Sequence, residues 1–172
     1  MSTNSVDKAI FRETNTTFSL HSFEDDKQAL ASLIEQAEKQ VSIMSHLLCP
    51  SIFNTALVID ACIAFCLKNH QTKICILVAE TAPLTRISHR LLTLSHQYSS
   101  SIFFKKINPA IALRDDDFVC IDRSAYFQLP NHQHYEGLCN FSDAQRTATF
   151  LNIFNDAWER SETDPELRSL LL

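Results

Sequence analysis

The spacing of hydrophobic residues changes several times along this chain, and each change marks an element. EDDKQALASLIEQAEKQ (24–40) carries Ala29, Leu30, Leu33, Ile34 and Ala37 at helical spacing, and the acids at its start suit a helix N-terminus. FSLHSF (18–23) precedes it as a short strand, and VSIMSHLL (41–48) follows as another. Cys49-Pro50-Ser51 breaks that run, and Ser51 can cap a helix over 52–69. KICILVA (73–79) is apolar on both faces, as in a central strand covered from two sides.

Pro83 suits the first turn of a helix over 83–98, with Leu84, Ile87, Leu91, Leu94 and Ser95 turned inward. SIFFKKI (101–107) is a strand, and DFVCID (117–122) with SAYFQL (124–129) is a hairpin. After the polar loop PNHQHYEG, a last helix over about 142–160 presents Phe150, Ile153, Phe154, Ala157 and Trp158, and DPELRSLLL forms a tail. Early strand–helix alternation followed by a hairpin predicts an α/β layered domain with a mixed sheet. Residues 1–17 read as a flexible polar arm and 18–172 as one domain.

Composition adds limits. A chain of 172 residues, 45% hydrophobic and 20% charged, can bury a core as a single domain. The net charge of −5 gives no general pull toward nucleic acid or anionic membrane. Most of the six cysteines sit in apolar runs, and the polar start MSTNSVDKAIFRETNTTF has no secretory h-region, so free thiols in the cytoplasm are expected. The longest apolar run, ALVIDACIAFCL, is too short to span a bilayer and carries Asp60, so no membrane segment is expected. Gly137 is the only glycine, which excludes the multi-glycine loops that cradle nucleotides or coenzyme A; no cofactor is read.

The order of elements and the passages DDDFVCIDRSAYFQ and YEGLCNFSDAQRTATFLNIFNDAWE resemble one half of the phospholipase D-like superfamily. More closely, they resemble a small, mostly gammaproteobacterial family of uncharacterised phospholipase D-like domains, sometimes found behind an acetyltransferase domain. A second block, ILVAETAPLTRISHRLLTLSHQYSSSIFFKK, carries the same resemblance, which covers roughly residues 25–170. It implies a three-layer α/β/α phospholipase D-like half with a mixed sheet. It also implies, for the enzymes of the superfamily, an H-x-K-x4-D motif with a nucleophilic histidine, a lysine on the phosphate oxygens and an aspartate orienting a histidine, two motifs meeting in one site. Laid on this chain, that spacing puts Asp122 at the aspartate place, Asp115 at the histidine place and Asp117 at the lysine place. Carboxylates repel a phosphodiester and form no phosphohistidine, so no catalytic residue is assigned. The chain holds one half-domain, so a two-motif site requires a dimer.

Other residues carry candidate chemistry. His89 and Arg90, in SHRLL, together suit an anionic group, with Asp60 as a buried acid that orients them and Asp122 at the strand end. Asp115, Asp116 and Asp117 form an acidic run that reads as a solvated turn. His132-x-His134 with Cys139, and Cys62, Cys66 and His70, lack paired C-x-x-C spacing, so no metal is assigned. Lys73, Lys105, Lys106 and Arg123 suggest a small basic strip at a sheet edge, thinner than a nucleic-acid surface. The expected role is a non-catalytic binding or protein-interaction module in the bacterial cytoplasm, with a protein partner or homodimer, an anionic ligand if a pocket persists, and no nucleic acid. The alternatives are a phosphodiesterase or nuclease with a rearranged site, and an accessory subunit of an acetyltransferase.

Overall fold

The computed structural model describes residues 6–171, with side chains through 168. Seven strands form one mixed sheet: β1 (Phe18–Leu20), β2 (Gln40–Ser45), β3 (Lys73–Val78), β4 (Ile102–Lys106), β5 (Asp117–Ile121), β6 (Ala125–Leu129) and β7 (Gly137–Asn140). Their order across the sheet is β1-β7-β6-β5-β2-β3-β4. β2, β3 and β4 run parallel, joined by helical crossovers, whereas β5 returns antiparallel to β2 and leads into the β5–β6–β7 meander. The expected layered α/β arrangement with a mixed sheet is what forms.

The helices are α1 (Phe23–Gln36), α2 (Pro50–Phe53), α3 (Ala56–Cys66), α4 (Ala82–Arg86), α5 (Arg90–Gln97) and α6 (Ala144–Arg160), followed by a 3-10 turn (Pro165–Leu171). Ser22 caps α1, its hydroxyl accepting from the Asp25 amide at 3.1 Å. The stripe Ala29, Leu30, Leu33, Ile34 and Ala37 is fully buried against the sheet together with α3 and α5. On the opposite face, α6 covers the meander, with Phe150 stacked on Phe118 at 4.7 Å between centroids. Strand alternation separates the two cores: Val119 and Ile121 face the α1 side, Phe118 and Cys120 the α6 side.

Three expectations change. The helix over 52–69 is two pieces, because Asn54 and Thr55 leave helical geometry, and Cys49 rather than Ser51 precedes the first. The helix over 83–98 is likewise broken, since Ser88 takes φ 51° and re-phases the turn; Leu84, Leu91 and Leu94 stay buried but Ile87 is exposed. The arm is packed over its described part, residues 6–17. Val6, Ala9 and Phe11 enter the core, the Phe11 amide donates to Gln36 Oε1 at 2.8 Å, and Gln36 Nε2 donates to the Ala9 carbonyl.

Candidate functional site

In an open α/β sheet the ends of parallel strands are where ligands are usually met. At the C-terminal end of β2 the chain passes from Ser45 to His46, beside the first residue of β5, Asp117. The Asp117 carboxylate is nearly fully buried, 4% exposed, and both of its oxygens are hydrogen-bonded. Oδ2 accepts the Ser45 hydroxyl at 2.6 Å, and Oδ1 accepts the His46 backbone N–H at 3.0 Å and the His46 ring Nδ1–H at 2.7 Å. Ser45 Oγ in turn accepts the Leu48 amide at 3.0 Å. A carboxylate fed by three donors is held still.

His46 stacks on His132, with centroids 3.5 Å apart and rings 6° from parallel. His132, in the loop after β6, donates both its backbone N–H and its ring Nδ1–H to the Asp115 carbonyl, each at 2.9 Å. With each Nδ1 committed, each ring offers Nε2 as a proton acceptor. The pair can accept a hydrogen bond there. Among the described residues no lysine or arginine bonds to Asp117, His46 or His132, so no fixed positive charge sits on the cluster.

The acidic run splits three ways. Asp115 is exposed; Asp117 turns to the α1 side; Asp116 turns to the α6 side and is buried. Asp116 is bound bidentately by Arg114, at 2.7 and 2.9 Å, and by Gln128 Nε2 at 2.9 Å. Burial opposes its ionisation, but the bonds from Arg114 and Gln128 outweigh it and hold the carboxyl below its ordinary value. Gln128 Oε1 then accepts from Arg146, whose guanidinium lies 5.4 Å from the Tyr126 ring centre.

The residues singled out from sequence lie elsewhere, and they do not meet. His89 is fully buried, with Nε2 on the Leu48 carbonyl at 3.1 Å and Nδ1 accepting the Leu91 amide at 3.2 Å. Burial, partly opposed by the bond to Leu48, lowers its pKa from 6.5 to about 4, so it is neutral and ties the loop after β2 to the start of α5. Arg90 points into solvent, and Asp60 is exposed on α3 rather than buried, so neither completes an anion pocket with His89. Asp122 closes the β5–β6 turn at φ 50°. Its oxygens accept the backbone N–H groups of Glu38, Lys39 and Gln40 at 2.8 to 2.9 Å, tying that turn to the α1–β2 loop. The basic strip does not form: Lys105 and Lys106 sit at the C-terminal end of the parallel strands and Lys73 at the N-terminal end. Lys105 is instead held over Trp158 at 4.5 Å.

Residues 22–170 match the family described as a domain of unknown function, DUF7931. The chain belongs to that family. No curated protein matches it. Among solved structures it is similar to TrmBL2, described as an archaeal chromatin protein with a novel mode of DNA binding. There the TM-score is 0.64 at 15% identity over 92% of this chain and 55% of that one. It is similar to NucT from Helicobacter pylori, with TM-score 0.62 and 15% identity over 87% and 98% of the two chains. It is also similar to Nuc from Salmonella typhimurium, a phospholipase D family member, with TM-score 0.61 and 16% identity over 86% and 96%. The chain thus spans nearly the full length of the NucT and Nuc chains but only about half of TrmBL2. At these identities what is shared is the fold, and for this DUF7931 domain that fold is phospholipase D-like.

Sequence reasoning passed over His46. Its one signal was a lone histidine within the run VSIMSHLL, but that run reads as a strand through Leu48, whereas β2 ends at Ser45 and leaves His46 at the strand end.

Proposed function

We propose that this domain is a non-catalytic phospholipase D-like module that binds a partner or ligand in the bacterial cytoplasm. The observation that carries the reading is the state of Asp117. Where the superfamily motif, laid on this chain, calls for a lysine, a buried carboxylate has both oxygens bonded by Ser45 and His46. Such a group repels a phosphodiester and supplies neither nucleophile nor countercharge. Six free cysteines, five of them buried, support a reducing compartment. Exposed Leu47, beside His46, and exposed Leu113, just before the acidic run, supply apolar area for a protein partner or a second copy. A net charge of −5 argues against nucleic acid, whereas the DNA-binding neighbour argues for it, so the test measures both.

A second reading has one specific observation behind it. His46 bonded at 2.7 Å to a buried aspartate is an imidazole oriented for proton transfer or attack, as a phosphodiesterase with a rearranged site requires. Purified protein is assayed with bis(p-nitrophenyl) phosphate and with single-stranded DNA, for cleavage and for retardation at 50 and 150 mM salt. The binding-module reading expects no turnover above buffer and no salt-dependent retardation. Turnover that disappears in His46→Ala and in Asp117→Asn, with Tm unchanged, overturns it in favour of the second.

A further inference from the structure

At the opposite end of the sheet, beneath the β5–β6 turn, lies a cavity of about 430 Å³ whose rim is basic. Arg12, Lys39 and Arg123 line it, against one lining carboxylate, Asp122. That carboxylate is spent on three backbone amides. Arg12 shares its guanidinium with Glu38 at 3.0 Å in an exposed pair, which screening by water weakens. Lys39 and Arg123 are exposed and form no ion pair among the described residues. Two unpaired cations and a third weakly paired one thus converge on a cavity in a protein of net charge −5.

The backbone around this cavity is unusual as well. Four non-glycine residues among those described take positive φ, and two of them, Arg12 (φ 69°) and Asp122 (φ 50°), line it. A left-handed arginine is strained, and Arg12 is held there by its amide, which donates to the Phe141 carbonyl at 2.8 Å. Its Nε reaches Ser124 Oγ at 3.4 Å, so the arm residue is aimed over the turn that carries Arg123. The rest of the lining is not basic: Leu151 supplies an apolar wall, and the Gln40 and Asn155 amides supply donors and acceptors.

We propose that this cavity binds a phosphomonoester with a small polar body, of the sugar phosphate or mononucleotide class. The phosphate sits among Arg12, Lys39 and Arg123, three cations set against the spent Asp122 and the exposed Glu38 that shares Arg12. The volume exceeds that of a bare phosphate and falls in the ordinary range of small-ligand pockets, so the ester's body occupies the space beside Leu151. The proposal gives the binding-module reading a ligand class, yet it stands on a different end of the sheet from Asp117 and His46, so either can fail alone.

The test is a titration of the 15N-labelled full chain, followed by NMR, with inorganic phosphate, ribose 5-phosphate, adenosine 5′-monophosphate and adenosine. Ribose 5-phosphate or the mononucleotide should saturate below about 10 mM. The shifts should map to residues 39–42 and 122–124, and adenosine should produce none there. Lys39→Met and Arg123→Met should each weaken binding at least fivefold and their combination at least twentyfold; Lys39→Arg should preserve it. No saturable shift at this site with either ester, or undiminished binding by a folded double variant, overturns the proposal. So does equal affinity for inorganic phosphate, which removes the role given to Leu151 and the two amides. Binding without turnover leaves the non-catalytic reading standing, while hydrolysis that depends on His46 sinks that reading and not this one.

Discussion

Asp26 is the residue whose replacement should make this protein more stable. It lies in the first turn of α1, is fully buried, and neither of its carboxylate oxygens has a hydrogen-bond partner. Burial, with a smaller push from the neighbouring charge of Asp25, raises its pKa from 3.8 to about 7. The unfolded chain ionises near 3.8, so between pH 3.8 and about 7 the folded protein keeps a proton that the unfolded one releases. Stability therefore falls as pH rises through that window, and the loss is complete above it. A displacement from 3.8 to about 7, at about 1.36 kcal/mol per pH unit, corresponds to roughly 4 kcal/mol at pH 8. Asp26→Asn keeps the shape and removes the charge, exchanging one unpartnered neutral group for another at low pH and an unpartnered buried charge for a neutral amide at high pH. Urea unfolding followed by circular dichroism at pH 4.5, 6 and 8 gives the difference between variant and wild type. That difference should be small at pH 4.5, grow to roughly 2–4 kcal/mol in the variant's favour by pH 8, and stay level above it. A difference independent of pH, or an asparagine variant less stable at pH 8, refutes the account of Asp26 as a buried acid without a partner.

Two further substitutions probe the scaffold. A Cβ at Gly137 would stand 2.5 Å from Asp26 Oδ1, so Gly137→Ala should cost about 1–3 kcal/mol in urea unfolding, and Asp26→Gly in the same chain should recover part of that cost. Asp122→Ala strips three backbone amides of their acceptor and puts alanine at φ 50°, so it should cost about 3–5 kcal/mol, whereas Asp122→Asn, which keeps two polar atoms, should cost less.

Much of the frame was legible because helix and strand periods survive wherever one face is buried. The α1 stripe and the Phe150, Phe154 and Ala157 face of α6 packed inward as their spacing required. β7 was not legible. Its four residues follow a polar loop, are too short to show alternation, and become a strand only because β6 and β1 flank them. The breaks at Asn54–Thr55 and at Ser88 were hidden for a different reason: apolar residues on both sides keep helical spacing while the backbone between them does not. The site residues were hardest. His89 beside Arg90 looked like an anion site, but its side chain faces the core and the next one faces water, a distinction set by where α5 begins. Asp60 looked buried because its neighbours are apolar, yet residues on one helix turn can face opposite ways.

A common pattern links the acids that the sequence brings forward. Asp117 serves Ser45 and His46, Asp122 serves three amides, and Asp116 serves Arg114 and Gln128; each is filled by neighbours that fix one element against another. A buried carboxylate that already accepts three hydrogen bonds from fixed neighbours is poorly placed to serve a metal or a substrate, so these acids work as ties. The groups left with open valences are of the other kind: imidazole Nε2 atoms at the C-terminal end of β2, and the Lys39 and Arg123 cations beneath the β5–β6 turn. The strand pair β2–β5 runs between these two places, from Ser45 beside Asp117 at one end to Gln40 beside Asp122 at the other. Whatever the domain recognises should therefore be read from its unspent donors and acceptors at those ends, since the charges most conspicuous in the sequence are already committed to holding the sheet.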